Sequence, residues 1–216
     1  QFAANAAHEL RTPLAVVRAE LDVLQKKNAP AVGEYAQTLQ SVSDQTEQLS
    51  RVVEALLEMT GLETIERRDH ISLFALTEEV LCDLAQVAEE KKVALVQDPG
   101  DAELTGSDTL LYRAVYNLVE NAIKYNRPGG EVRVAIQRAG DTAHLQVTDT
   151  GIGIPRECWT EIFDPFVRVD KSRSRAMGGA GLGLALVREI AELHGGSVRV
   201  LQSSGQGTQF LFEIPI

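Results

Sequence analysis

Near the start of the chain a histidine, a carboxylate and a hydroxyl fall within little more than one helical turn: His8, Glu9 and, four residues beyond the histidine, Thr12. A free imidazole titrates near pH ~6.5, so a good fraction is neutral and nucleophilic at pH 7, and Glu9 is placed to orient the ring or take its proton. Pro13 follows directly. It has no N–H to give the Glu9 carbonyl and its ring crowds that turn, so the helix is expected to bend just past His8. If Ala7 and Leu10 take heptad positions a and d, His8 falls at b, on the flank that faces solvent and can meet a large substrate. An exposed helical histidine is ordinarily plain surface, so this chemistry needs support from the rest of the chain.

That support lies in the second half. In the run YNLVENAIKYNR, Leu118, Ala122 and Tyr125 share one helical face, while Asn117, Glu120, Asn121 and Lys124 share another. Two amides at i and i+4 with a lysine three residues on can hold a hydrated Mg²⁺ and the phosphates it bridges. Asp149 ends an alternating stretch and is followed by Gly151 and Gly153, which permit a close turn against a flat ligand. Arg168, Lys171, Arg173 and Arg175 then cluster before Gly178, Gly179, Gly181, Leu182 and Gly183. Four cations together in an acidic chain call for an anion, the glycines suit a mobile lid, and Gly181 and Gly183 open a helix whose first amides favour phosphate. Two common nucleotide motifs fail on spacing. A dinucleotide fingerprint would need glycine where Leu184 or Leu186 stands, and no Gly-Lys-Ser or Gly-Lys-Thr of a P-loop exists.

The elements that must position these residues fall into two textures. Leu10, Leu14, Val17, Leu21 and Leu24 continue from Ala7 in steps of three and four, and Leu39, Val42, Thr46, Leu49, Val53, Leu56 and Thr60 repeat the pattern. Residues 28–33 hold Asn, Pro and Gly, a helix–helix connection, so the two helices form an antiparallel hairpin. Such a hairpin leaves Val16, Val52 and Leu57 wet. A homodimeric four-helix bundle would cover them, and docking of the hairpin on its own chain is the alternative. Beyond Glu66 helical stretches at 73–89 and 108–125 are followed by alternating strands at 131–137, 144–148, 197–201 and 209–214. This reads as a sheet covered on one face by helices, an α+β fold joined to the hairpin by a linker at 67–70. A net charge of −10 repels nucleic acid, and two widely spaced cysteines, Cys82 and Cys158, fit a reducing compartment. No apolar run of about eighteen residues and no signal peptide occurs, and the start at Gln1 within a helix suggests a fragment whose membrane contact would come only through missing upstream segments.

Phe2 and the run His8-Glu9-Leu10-Arg11-Thr12-Pro13-Leu14 resemble the H-box of sensor histidine kinases. The Asn117–Lys124 stretch resembles their N-box, 149–155 the G1-box, Phe163 to Phe166 the F-box, 178–184 the G2-box, and Gly207-Thr208 the final glycine box. The resemblance covers nearly the whole chain. It implies a dimerisation and phosphoacceptor domain at 1–66 and a GHKL-type (Bergerat) ATP-binding α/β sandwich at 70–216. His8 would be the phosphoacceptor, Glu9 its acid/base neighbour, and Glu9 with Thr12 would position water when the partner is dephosphorylated. ATP would meet Asn117, Lys124, Tyr125, Gly151, Gly153, Arg168, Gly179, Gly181, Leu182, Gly183 and Thr208, with its adenine on Asp149 and with Mg²⁺ on Asn121. Phe163 and Phe166 would anchor the lid, and Pro13 and the linker near Arg67 would be hinges. The implied partners are a second copy of the chain and an Asp-bearing response-regulator receiver, and the implied setting is the cytoplasmic portion of a membrane-anchored bacterial sensor. Related folds serve gyrase, the Hsp90 chaperone and the MutL repair protein as ATPases, where the family pattern has a catalytic Glu four residues before the metal-binding Asn. Here that place holds Asn117, an amide with no useful basicity, and Glu120 is expected to point elsewhere. This favours a kinase over an ATPase, and the intact boxes favour it over an inactive scaffold.

Overall fold

A computed structural model of the chain describes residues 2–27, 31–169 and 181–216. It begins with two long helices, α1 (Phe2–Lys26) and α2 (Val32–Glu58), packed as a hairpin. Lys27 closes its end with an ion pair to Glu34, and Glu34 also accepts the Ala31 N–H at 3.1 Å, capping the first turn of α2. Helix α1 runs through Pro13 without interruption, and the Thr12 hydroxyl donates to the His8 carbonyl at 3.2 Å. The apolar seam is only partly covered. Leu14 remains 55% exposed and Leu39 67% exposed, as expected of a stripe that needs a further helical partner. Val16 and Leu57 are wet as the pattern foretold, but Val52 is buried.

After a short 3-10 turn at Leu62–Thr64 the chain enters the α+β domain through β1 (Asp69–Ser72). Asp69 and His70, expected in a linker, are therefore already paired in a strand, opposite Gly106 and Thr105. The stretch expected as one helix at 73–89 is two, α3 (Leu73–Asp83) and α4 (Ala85–Lys91). They break at Leu84, a fully buried residue that carries no glycine or proline signal. Strands β2 (Ala94–Gln97) and β3 (Glu103–Gly106) follow, then α5 (Asp108–Lys124), β4 (Glu131–Ala139), β5 (Thr142–Asp149), α6 (Gly183–Leu193), β6 (Ser197–Ser204) and β7 (Gly207–Pro215).

The main sheet has the order β2-β4-β5-β7-β6. It is antiparallel except at its edge, where β2 runs parallel to β4, while β1 and β3 form a separate two-stranded ladder. Alternate residues Val132, Val134, Leu145, Val147, Phe210 and Phe212 are buried, as the strand period of two requires. Leu110, Leu111, Ala114, Val115, Leu118, Val119, Ala122 and Ile123 make the buried stripe of α5, each leucine there contributing about 1.5–3 kcal/mol by leaving water. Ser107 caps α5 by accepting the Leu110 N–H, and its own N–H donates to His194 Nε2 at 3.0 Å, tying the start of α5 to the end of α6. With its core face committed, α5 turns the opposite face of its C-terminal half to a cleft.

Candidate functional site

The cleft has a volume of about 740 Å³ and lies among α5, the turn after β5, the N-terminus of α6 and the β6–β7 turn. Its best-defined polar group is Asp149, the last residue of β5, only 7% exposed. Oδ1 accepts the Gly151 N–H at 2.7 Å and the Thr208 N–H at 3.3 Å, and among the described residues Oδ2 takes no hydrogen bond. Burial raises the Asp149 pKa above the usual carboxylate value, and the two backbone donors partly offset it. A half-committed carboxylate on the wall of a cleft is an acceptor ready for an N–H donor.

The glycines around it are set by close approach of backbone. A Cβ on Gly151 would overlap the Tyr125 carbonyl, and one on Gly207 would overlap the Asp149 carbonyl. Gly153 has φ +75°, and its missing Cβ leaves room for the Ser204 carbonyl. The Tyr125 carbonyl accepts the Ile152 N–H at 3.2 Å, so the end of α5 holds the turn after β5 directly. Arg127 reinforces this from outside, donating to the Gly151 carbonyl at 3.0 Å and also to that of Gly205. The Ser203 hydroxyl receives the Ile154 N–H at 2.7 Å and pairs with the Thr208 hydroxyl at 2.9 Å.

Along α5, Asn117, Glu120, Asn121, Lys124 and Tyr125 all line the cleft. Glu120 thus faces the same space as Asn121, against the expectation that it points elsewhere. Helical neighbours diverge by about 100°, but a cleft this wide takes in both. The Asn117 amide donates to the Arg113 carbonyl at 2.9 Å, while its oxygen occupies the space a Cβ on Gly183 would need. Lys124 has its pKa lowered first by burial, an effect opposed by Glu120 and deepened by the charges of Arg168, Arg51 and Lys91. Arg168, Gly181, Leu182 and Gly183 line the same space, so the first turn of α6 opens into it. There the first-turn amides and the helix dipole favour an anion. Phe163 is buried edge-on to Phe210, whereas Phe166 adopts φ +69° and donates its N–H to the Gly181 carbonyl at 2.8 Å. Lys171, Arg173, Arg175, Gly178 and Gly179 lie outside the described residues.

His8 and Thr12 are exposed on α1 and Glu9 is half-buried; none of the three lines the cleft. The structure thus gathers the described residues expected to meet a nucleotide and holds the histidine triplet on a separate element. Sequence reasoning missed Ser203, the Tyr125 carbonyl, the Arg127 clamp, and Arg51 and Ala55 of α2, which complete one wall of the cleft.

Comparison with known proteins reads the two units separately. The family model described as "Histidine kinase-, DNA gyrase B-, and HSP90-like ATPase" matches residues 106–216, and that of the "His Kinase A (phospho-acceptor) domain" matches residues 1–65. This chain belongs to the sensor histidine kinases. The sensor-like histidine kinase SenX3 of Mycolicibacterium smegmatis is 34% identical over 99% of this chain and 56% of its own length. The sensor histidine kinase RppB of Synechocystis sp. is 36% identical over 100% of this chain and 49% of its own length. The chain spans about half the length of these curated relatives. Among solved structures, the histidine kinase AdeS of Acinetobacter baumannii superimposes with a TM-score of 0.70 over 96% of this chain and 97% of that one, at 23% identity. Full-length ShkA, solved with AMPPNP, gives a TM-score of 0.68 at 27% identity over 100% of this chain and 45% of that one. The C-terminal unit of this histidine kinase is accordingly an ATP-binding domain of GHKL type, preceded by the helical phosphoacceptor-type hairpin.

Proposed function

We propose that this histidine kinase core transfers the γ-phosphoryl group of ATP to His8 and then passes it to an aspartate of a response-regulator receiver. The observation that carries the reading is Asp149: a buried carboxylate with one oxygen fixed by two backbone N–H groups and the other unclaimed among the described residues, in a cleft of nucleotide size. That oxygen suits the adenine amino group. The phosphates would lie toward the first turn of α6, with Lys124 and Arg168 stabilising charge as the phosphoryl group moves. Asn121 is the proposed Mg²⁺ ligand, an oxygen donor suited to a hard cation, and Asn117 keeps the adjoining turns in place. A bound Mg²⁺ would neutralise phosphate charge.

His8 attacks the phosphorus through a ring nitrogen, the bond to the bridging oxygen breaks, and ADP leaves with that oxygen. Glu9 is proposed to take the ring proton, and Glu9 with Thr12 to position water for dephosphorylation of the receiver. Residues 1–66 serve as the dimerisation and phosphoacceptor unit and 70–216 as the ATP-binding unit. The uncovered leucines of the hairpin support a homodimeric four-helix bundle. The proposed setting is the cytoplasmic portion of a membrane-anchored bacterial sensor, for which the greater length of the relatives leaves room, and no described helix is itself long and apolar enough to cross a membrane. The complex of the histidine kinase ThkA with the response regulator TrrA, a fold neighbour at a TM-score of 0.73, is in keeping with a receiver partner.

The test is transfer from γ-labelled ATP. Label should stay on the protein in a form stable to alkali and labile to acid, and His8→Gln should abolish it while ATP binding persists. Release of free phosphate from unlabelled protein, with Glu120 as the base, would replace this reading with an ATPase.

A further inference from the structure

The nucleotide cleft is not walled by the ATP-binding unit alone. Arg51 and Ala55, one turn apart on α2, line it together with Asn121, Lys124, Arg168 and the first turn of α6. Arg51 is exposed, and among the described residues its one hydrogen bond is from Nε to the Glu47 carbonyl at 3.3 Å, within its own helix. Among the described residues its guanidinium makes no ion pair, although the chain carries ten more acidic than basic groups. It stands instead near Lys124 and Arg168, close enough for its charge to act on the lysine. An anion placed among these three side chains is attracted by each of them. Among the described residues lining the cleft the acidic side chains are Glu120 and Asp149, and Asp149 is engaged through Oδ1 with backbone donors.

The hairpin register adds a second observation. The Lys27–Glu34 pair, with Val23, Leu24, Gln37 and Thr38 lining one pocket beside it, sets level those residues whose numbers total about 61. His8 is then level with Val53. Arg51 is two residues away, about 3 Å along the helix axis. The cation that α2 contributes to the cleft therefore sits at the height of the candidate phosphoacceptor.

We propose that Arg51 binds the terminal phosphate of a nucleoside triphosphate held in the cleft, so that the hairpin itself distinguishes ATP from ADP and the ATP-binding unit is held against α2 at the level of His8 only while the γ-phosphate is present. A guanidinium suits this task because its planar fork meets two phosphate oxygens at once, which an ammonium cannot do. The inference rests on the ATP-binding reading of the cleft above, and adds to it a ligand from the other unit.

The experiment measures AMPPNP, ATP and ADP affinities of the whole chain by isothermal titration with Mg²⁺, for the wild type, Arg51→Ala, Arg51→Lys and, as a control at an exposed hairpin arginine that does not line the cleft, Arg18→Ala. Arg51→Ala should weaken ATP and AMPPNP binding on the order of tenfold while leaving ADP unchanged, narrowing the ATP-to-ADP preference. Arg51→Lys should recover part of the loss, and Arg18→Ala should match the wild type. An ATP-to-ADP ratio unchanged in Arg51→Ala, or an equal loss for both nucleotides, overturns the proposal while the ATP-binding reading stands. If the wild type binds no adenine nucleotide, both fall together.

Discussion

Replacing Asp149 with Asn changes one atom and separates what the carboxylate does for the fold from what it does for a ligand. Oδ1 accepts the Gly151 and Thr208 N–H groups at 2.7 and 3.3 Å, and an asparagine can keep both bonds through its amide oxygen. The amide nitrogen then stands where Oδ2 stood, presenting donors to the cleft. Against an adenine amino group, donor meets donor. The bond lost and the donors left facing each other amount to about 1.5–3 kcal/mol, or roughly 10- to 150-fold in ATP affinity. A purine with a 6-oxo group should suffer less, because the new N–H groups can donate to it, so inosine triphosphate should gain on ATP by at least an order of magnitude in relative affinity. Stability should not fall. Burial raises the folded-state pKa of Asp149, so ionised Asp149 costs stability at neutral pH, and the uncharged amide escapes that cost. Competition of ATP and inosine triphosphate against a fluorescent nucleotide, with thermal melts of both proteins, provides the readout. An Asp149→Asn variant that melts like the wild type and keeps its ATP affinity and purine preference would refute the assignment of Oδ2 to the base.

Other perturbations test the supports of the site. Gly153→Ala combines a Cβ overlapping the Ser204 carbonyl with φ +75°, where a side chain costs about 1–2 kcal/mol before the overlap is counted; lowered melting temperature and weakened nucleotide binding should appear together in the same melts with and without ATP. Leu118→Ala removes a fully buried side chain from α5 and should cost about 2–5 kcal/mol by denaturant titration of the ATP-binding unit's tryptophan signal. His194 has its pKa lowered, chiefly by burial, against the raising effect of its bond to the Ile190 carbonyl and with a further lowering from Arg67. Its contribution to stability should therefore be complete above the unfolded value of about 6.5 and drain as pH falls through the lowered folded value; in His194→Gln this part of the pH dependence should vanish, as urea titrations between pH 5 and 7.5 would show.

The hairpin, α5 and the four long strands were legible because each repeats its period over several turns or residue pairs. Strands β1, β2 and β3 were not. Each has four residues, and β2 shows no clean alternation because it lies at the edge, parallel to β4. The break at Leu84 was hidden since tertiary burial of that leucine, rather than a breaker residue, decides it. Val52 failed for a related reason: a single stripe says which residues are apolar but not which flank another element covers. In the site, side chains such as Asp149, Asn121 and Lys124 could be named because their types carry chemistry. The carbonyls of Tyr125 and Ser204 could not, since main-chain atoms are the same everywhere. Arg51 escaped because, Ala55 aside, its neighbours in the cleft are more than sixty residues distant in the chain, and distance in sequence hides a shared wall.

The Arg127 clamp bears on where this molecule can be altered. The β6–β7 turn, with Gly205 and Gln206 exposed, looks from outside like a spare loop for a label or an insertion. Yet the guanidinium of Arg127 grips both its carbonyl and that of Gly151, so whatever pulls on that tip also tugs at the seat of Asp149. The hairpin at the other end of the sheet, turning at Gly140 between β4 and β5, is held instead by the Arg138 side chain, which donates to the Gly140 carbonyl at 2.9 Å, and by the Ile216 N–H, which reaches the Asp141 carbonyl at 2.9 Å, and none of these residues lines the cleft. A reporter grafted there would leave the cleft undisturbed, whereas one grafted at Gly205 would be an unintended inhibitor.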